Sequence, residues 1–408
     1  MVPKNFTTVL FRAARALVAP KGINRCRGMG GLPLGRPISM AKAIAFGGMS
    51  VALLVPLSAF ASRVSWRNAH PVGWMHQLPV GETPGWSSPF WINLEINHAN
   101  VWNMNSSYTD TRTGDVYTYE ADFEQSSTIA DIGFSLGSRF ALSFEVPYAN
   151  RNGGFLDDFI DQFHILIQSD RFLRHLNDDF NNSLVIQKNG QDMIASHKAE
   201  GVGNIKAKAK YWLLKWQSPT PGVCDCGLAV SGQVKYPMQR RQHGLTSGTN
   251  DYSGLIHLGA PLGRYSGVYT TAAFTKFNAN ESFAGWPRRE WQQMYELSFD
   301  FGLGPGFGVL LQARLESPLF DIKYLSFNYS YSDPDNRSSE RVASGWHSLV
   351  DWRGSQAFGL RYRWGKGSQL NLLMMEDWGL GDRDGRGDWN YVNNAPDVAF
   401  LTQWHLVF

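Results

Sequence analysis

Charged residues recur at every second position in several stretches of this chain, the spacing that lines one face of a strand. Lys206, Lys208 and Lys210 alternate with Ile205, Ala207, Ala209 and Tyr211, and Lys235 stands in the next alternating stretch. Arg361 and Arg363 alternate with Leu360, Tyr362 and Trp364, and Arg314 precedes them. The acids show the same parity: Glu95, Asp131 and Glu145 in three early stretches, Glu296, Asp300 and Glu316 in two later ones. Charges so placed have two uses. Ladders of opposed sign line a pore and set its selectivity, or they pair across a narrow lumen and fill it.

Other chemistry is thinner. His347 and Ser348 lie near Asp351, the best local set for a nucleophile and its base, but adjacent strand residues point to opposite faces. No catalytic residue is assigned. His164 with Asp157 and Asp161 has the spacing of one helix face, which reads as a solvated face and not a cation site. No metal and no cofactor is expected. Cys224 and Cys226 form a C-x-C pair: an exported chain meets oxidising conditions, yet a bridge at that spacing is strained, so an oxidised pair and two plain turn-edge residues both stand. Metal binding would need further ligands.

The elements that position these residues are strands. From Phe90 onward apolar and polar residues alternate through twelve stretches, beginning with Phe90, Ile92, Leu94 and Ile96 against Asn93, Glu95 and Asn97. Tyr117, Tyr119 and Phe123 are out of phase with Ala130, Ile132, Phe134 and Leu136, which predicts a bulge near 124–127. Gly137-Ser138 reads as a two-residue turn, and Asn189-Gly190 as the turn of a short hairpin over 184–194. Links after even-numbered strands are short (137–138, 215–224, 261–263, 304–306, 365–366), and those after odd-numbered ones are long (103–115, 149–200, 237–251, 277–289, 317–353, 378–394). Short turns at one rim and long loops at the other are how outer-membrane barrels are built. The longest link carries Phe155, Phe159, Phe163 and Ile167 at helical spacing, with Asp157, Asp158 and Asp161 on another side, which predicts an amphipathic helix over 155–176. That helix either folds into the mouth as a plug or packs on the rim.

Composition agrees with a chain that meets lipid through strands. Of 408 residues 43% are hydrophobic and 18% charged, below the roughly 25% charged of soluble domains, while the mean hydropathy of -0.28 is not that of membrane helices. Residues 43–61, AIAFGGMSVALLVPLSAFA, follow Lys42 and close on Ala59-Phe60-Ala61, the pattern of a signal peptide cleaved after Ala61. Upstream, 1–39 is basic throughout, so the true start is Met1 or Met40. Residues 1–61 hold 8 Lys+Arg and no acid, so the exported chain has 38 − 8 = 30 basic against 35 acidic residues, net −5. No nucleic-acid footprint remains. Residues 62–87 read as a periplasmic lead-in and 88–408 as the barrel. The chain ends on DVAFLTQWHLVF, where Val398, Phe400, Trp404, Leu406 and Phe408 share a face. Trp404, Leu406 and Phe408 read as a C-terminal signal for the outer-membrane barrel assembly machinery.

The run Gly153-Gly154-Phe155-Leu156-Asp157-Asp158-Phe159-Ile160-Asp161-Gln162-Phe163-His164, then Gly201-Val202-Gly203-Asn204-Ile205, Lys235-Tyr236-Pro237 and Ser247-Gly248-Thr249-Asn250-Asp251-Tyr252, resembles an uncharacterised family of proteobacterial outer-membrane proteins, a domain of unknown function. The resemblance spans roughly 88–408 and departs at Asn204, where an Asp is expected. It implies barrel and location and adds no mechanism.

The expected fold class is all-β, a transmembrane antiparallel barrel of about twelve strands. The expected function is a passive, porin-like channel for an unknown small solute, surrounded by outer-membrane lipid and partly closed by the loop helix through Phe155, Asp157, Asp158, Phe159, Asp161, Phe163 and His164. The alternatives are an outer-membrane lipid hydrolase, and a structural or adhesive barrel with a closed lumen.

Overall fold

A strand crossing hydrocarbon must satisfy every backbone N–H and C=O on its neighbours, and only a sheet without edges does this throughout. In the computed structural model the chain forms such a sheet. The structure describes residues 66–408, apart from 68, 87, 155, 157–158, 161, 163–181, 197–198, 217–225, 241–242, 264, 279–287, 305, 320–324, 329–351, 365–366 and 380–397.

Among the described residues sixteen strands follow one another: β1 (Phe90–Asp110), β2 (Val116–Leu136), β3 (Phe140–Asn152), β4 (Ser183–Lys188), β5 (Gln191–Ser196), β6 (Glu200–Val202), β7 (Asn204–Lys215), β8 (Gly227–Pro237), β9 (Asp251–Pro261), β10 (Gly267–Lys276), β11 (Trp291–Gly302), β12 (Phe307–Glu316), β13 (Leu325–Asn328), β14 (Arg353–Trp364), β15 (Ser368–Gly379) and β16 (Val398–Val407). Twelve of them close a ring. The order runs β1-β2-β3-β7-β8-β9-β10-β11-β12-β14-β15-β16, every neighbour antiparallel, and β16 returns to β1 with Trp91 opposite Val407 and Asn100 opposite Val398. Strands β4, β5, β6 and β13 extend the sheet at the loop rim, where β4 pairs with the far half of β2 and β13 with that of β1.

The outward face is apolar. Ile96, Ile132, Phe144, Ile256, Phe274, Leu311, Phe358, Leu360 and Leu372 are all exposed, a band that a water-facing sheet would not carry. Aromatic residues mark both edges of the band: Tyr148, Tyr236, Tyr252 and Trp291 near the loop rim, and Tyr211, Trp216, Phe307, Tyr362 and Phe408 near the turn rim. This is the girdle of a transmembrane barrel. A spanning strand needs about 9–11 residues, and most here have 10 to 13.

Strands β1 and β2 are longer, 21 residues each, so their hairpin rises past the band before turning at 111–115. The predicted bulge in β2 is absent. Its alternation is unbroken, and the register shift lies in β1 between Asn103 and Ser106. Tyr117, Tyr119, Ala121 and Phe123 point inward with Asp131, because the inner wall changes from polar to apolar towards the loop rim. The Asn189-Gly190 hairpin forms as expected, with φ of 52° and 76°, the positive pair a two-residue turn requires. Its tip is tied to the β1–β2 turn through Asp115, which accepts from Lys188 (2.8 Å) and Asn189 (2.7 Å). Those bonds, the Lys188 ammonium first, lower the Asp115 carboxyl to about 2.

Candidate functional site

The inward face of a barrel this size is either wet or filled, and here it is filled by the chain itself. Residues 66–88, all but the last of them part of the stretch 62–87 expected as a periplasmic lead-in, run inside the barrel, and nearly all of their described residues are buried. The segment enters at the turn rim, where the Ser88 hydroxyl donates to the Phe408 carbonyl (2.5 Å). Gly85 lies beneath the Trp212 ring, so close that a Cβ there would sit 2.3 Å from it. Trp86 packs on the same ring at 5.5 Å. Above them Lys210 Nζ donates to the Thr83 carbonyl (2.9 Å), the Gly81 amide to Glu296 (3.2 Å) and Asn204 to the Met75 carbonyl (2.9 Å).

The segment turns back at α1 (Pro71–His76). Pro71 suits a first turn, whose N–H has no helical partner. The His70 ring accepts from the Val72 amide (3.2 Å), and Gln77, at φ 43°, ends the helix in a left-handed cap. The chain then descends beside itself. Arg314 reaches both arms, donating to the Pro79 carbonyl (3.0 Å) and the Trp66 carbonyl (3.5 Å), while Arg67 pairs with Glu145.

Apolar side chains fill what the polar contacts leave. Val72, Met75 and Leu78 join Tyr117, Tyr119, Phe123, Leu184, Ile186 and Phe277 in one buried cluster towards the loop rim. Trp66 and Ala69 meet Leu310, Ala357, Leu373, Met375 and Leu401 in another, and Trp74 sits with Ile129, Ala149 and Leu245 in a third. The inner wall is therefore not uniformly hydrophilic, as the alternation alone suggested. Space is scarce. A cavity lined by Glu82, Thr83, Thr271, Glu296 and Asp300 has about 10 Å³, close to one water molecule.

All thirteen charged residues singled out in the sequence point into this space, Glu316 among them, its carboxylate taking Arg314 (2.6 Å) and Arg353. Six touch the segment: Glu145, Lys206, Lys208, Lys210, Glu296 and Arg314. Seven bond along the wall. Asp300 receives Arg361 and Arg363, each at 2.5 Å, and Lys235 pairs with Asp251 and donates to Ser247 (2.5 Å). Arg363 continues to Gln369 (3.2 Å), Gln369 to Asn371 (2.7 Å), Asn371 to Gln403 (3.3 Å) and Gln403 to Glu95 (3.2 Å), while Asp131 accepts from Asn93 (2.7 Å). Sequence reasoning missed Arg67 and Glu82, which lie in a stretch without period two. It also passed over Asp251, Arg353 and His257, which share the inward parity or begin a strand.

The loop helix is only partly described. Phe155, Asp157, Asp158, Asp161, Phe163 and His164 lie outside the described residues. Leu156 and Ile160 pack on Val398 and Met374, and the Phe159 ring lies 6.1 Å from that of Phe400. Val398 and Phe400 belong to the outward face of β16, so this end of the segment lies against the outside of the wall. Glu124, also outward, accepts from the Leu156 amide and from His98 (2.6 Å).

The hydrolase candidates His347, Ser348 and Asp351 lie outside the described residues, as does the expected signal peptide. Ser231 and His257 are in contact (2.8 Å), with Thr271 on the other ring nitrogen (3.1 Å), but beneath the lumen segment. Cys226 is in a disulfide whose partner lies outside the described residues. Among the described residues no cluster of His, Cys, Asp and Glu is arranged to hold a metal.

A family model described as "Protein of unknown function (DUF3187)" matches residues 87–323, more than half of the chain. The chain belongs to this family. Within it, the match begins where the lumen segment ends and β1 is about to start. No curated protein matches. Among solved structures, the COG4313 outer membrane channel from Pseudomonas putida F1 is similar at 11% identity, covering 81% of this chain and 100% of its own, with a TM-score of 0.45. The NanC porin (8% identity, 77% and 98% coverage, TM-score 0.35) and the P. putida toluene transporter TodX (9%, 86% and 99%, 0.34) are further matches.

Proposed function

We propose that this protein is an outer-membrane channel for small solutes, closed in the present state by its own residues 66–88. The observation that carries this reading is the charged inner wall. Buried ion pairs in a permanently packed interior are often no better than apolar residues of the same volume, so a sealed barrel has little reason to keep this many charges on its inward face. A lumen that is wet part of the time does. Its occupant is then the covalently attached segment, and the loop helix is not needed for closure.

The test is planar-bilayer conductance of the exported chain against a variant lacking 66–86. The deletion is expected to conduct persistently and the full chain to open rarely. A folded deletion variant that never conducts would end the channel reading. The apolar clusters around Val72, Trp74 and Met75 favour a second reading, a sealed structural barrel. That reading expects a full chain that stays silent at every voltage while the deletion conducts.

Location and assembly belong to the same proposal. The apolar belt supports a lipid environment, and Trp404, Leu406 and Phe408 fall on the outward parity of β16, with the Phe408 ring 5.6 Å from that of Phe90. Removing Phe408 is expected to lower the amount of heat-modifiable barrel in the outer-membrane fraction severalfold. An unchanged amount would take the role of assembly signal from this residue.

A further inference from the structure

Lys206, Lys208 and Lys210 stand at alternate positions of β7, roughly 7 Å apart along the strand, and like charges so placed repel unless anions lie among them. The wall supplies an anion to the first. Lys206 is directly opposite Glu145 on β3 and 3.1 Å from its carboxylate. For the other two, the residues directly opposite are neutral: Ser143 and Gln233 beside Lys208, Ala141 and Ser231 beside Lys210. A carboxylate that reaches both belongs to the lumen segment. Glu82 Oε1 takes Lys208 and Oε2 takes Lys210 (2.8 Å), one ammonium on each oxygen, with its side chain 4% exposed. Thr271 steadies the Glu82 backbone, its hydroxyl within 3.3 Å of the amide and 3.4 Å of the carbonyl.

We propose that Lys208 and Lys210 form a binding site for the carboxylate of a small anionic solute, and that Glu82 occupies this site in the closed state. Solute and segment therefore compete for the same two ammonium groups. When the segment leaves, it takes its carboxylate with it, and the wall pairs of Lys206 with Glu145, Lys235 with Asp251 and Arg361 and Arg363 with Asp300 stay behind. The open lumen then offers the two ammonium groups of Lys208 and Lys210, midway along the barrel wall, to a mobile anion. Charged rings of this kind select the sign of the permeating ion. The inference rests on the channel reading and adds its substrate class.

The experiment measures reversal potentials of the variant lacking 66–86 in a potassium chloride gradient, then adds succinate as the probe carboxylate and, in a parallel arm, inorganic phosphate. Expected are chloride permeability severalfold above potassium, block of the chloride current by millimolar succinate, and loss of both in the Lys208→Gln/Lys210→Gln variant. Stronger block by phosphate than by succinate would replace the carboxylate class by phosphate. In the full chain, Glu82→Gln is expected to raise open probability severalfold, and succinate to raise it in the parent. Heat-modifiable mobility reports folding of each variant, and Lys208→Gln alone stands in if the double variant does not fold. Conduction that is cation-selective, or succinate block unchanged by the lysine substitutions, overturns the proposal and leaves the channel standing. A folded deletion variant without conductance overturns the channel reading itself.

Discussion

Replacing Glu82 by lysine is expected to expel residues 66–88 from the barrel. In the closed state the Glu82 carboxylate lies between Lys208 and Lys210 with little solvent to screen it. Breaking a buried pair by removing one partner costs about 3–5 kcal/mol, because the remaining charge is left buried and unpaired. Glu82→Lys removes the shared partner of two cations and adds a third among them, so its cost lies at or above that range. An equilibrium shifted by about 3–5 kcal/mol moves by roughly two to three and a half orders of magnitude. The ring of twelve strands keeps its own pairing, so the barrel stays folded while the segment leaves. Limited trypsin digestion reads this directly, since Arg67 is buried against Glu145 when docked. Cleavage at Arg67 is expected to accelerate by at least a hundredfold in Glu82→Lys, together with sustained conductance. Equal cleavage rates would show that the lysine pair does not hold the segment.

The second large effect lies in the wall itself. Asp300→Ala leaves Arg361 and Arg363, both buried, without the carboxylate that takes each at 2.5 Å. Neither can move far. A Cβ on Gly308 would lie 2.2 Å from Arg361 Nη2, and Arg363 is held by Gln369. A loss of about 3–5 kcal/mol follows from the stranded charges, read as a lower urea midpoint of the folded barrel in lipid vesicles. Asp300→Ala combined with Arg361→Leu and Arg363→Leu is expected to recover much of it, because an apolar replacement of a whole buried ion cluster is often neutral. An unshifted midpoint in Asp300→Ala would mean that water, and not the protein, solvates these guanidinium groups.

The wall of this barrel was legible because period two is a property of single strands. Lys206, Lys208 and Lys210 announce their face without any knowledge of the neighbours, and parity carries the assignment round the ring to Arg361 and Arg363. The same rule misled where apolar was equated with outward. Tyr117, Tyr119 and Phe123 keep the parity of Asp131, and the phase break read as a bulge is a change in what fills the lumen. The occupant itself left no periodic trace. Trp66, Trp74 and Met75 are buried one by one by the wall, and a chain packed inside a cylinder has no face that must repeat. A stretch holding three Trp, a Met and two Val before the first strand was the available signal, since a solvated lead-in has no use for them.

Residues 66–88 lie in the lumen and close it, and a reversible covalent lock at Gly81 and Glu296 tests that closure most directly. Glu296 Cδ is 2.4 Å from where a Gly81 Cβ would stand. A Glu Cβ is roughly 2.5 Å from its Cδ by bond geometry, so two cysteine Cβ atoms there would be about 5 Å apart at most, near the reach of a disulfide. The Gly81→Cys/Glu296→Cys variant is predicted to oxidise spontaneously, to stay closed in a bilayer under any voltage, and to open only after reductant, with the parent under the same reductant as control. Full conductance with the cross-link intact would contradict the account.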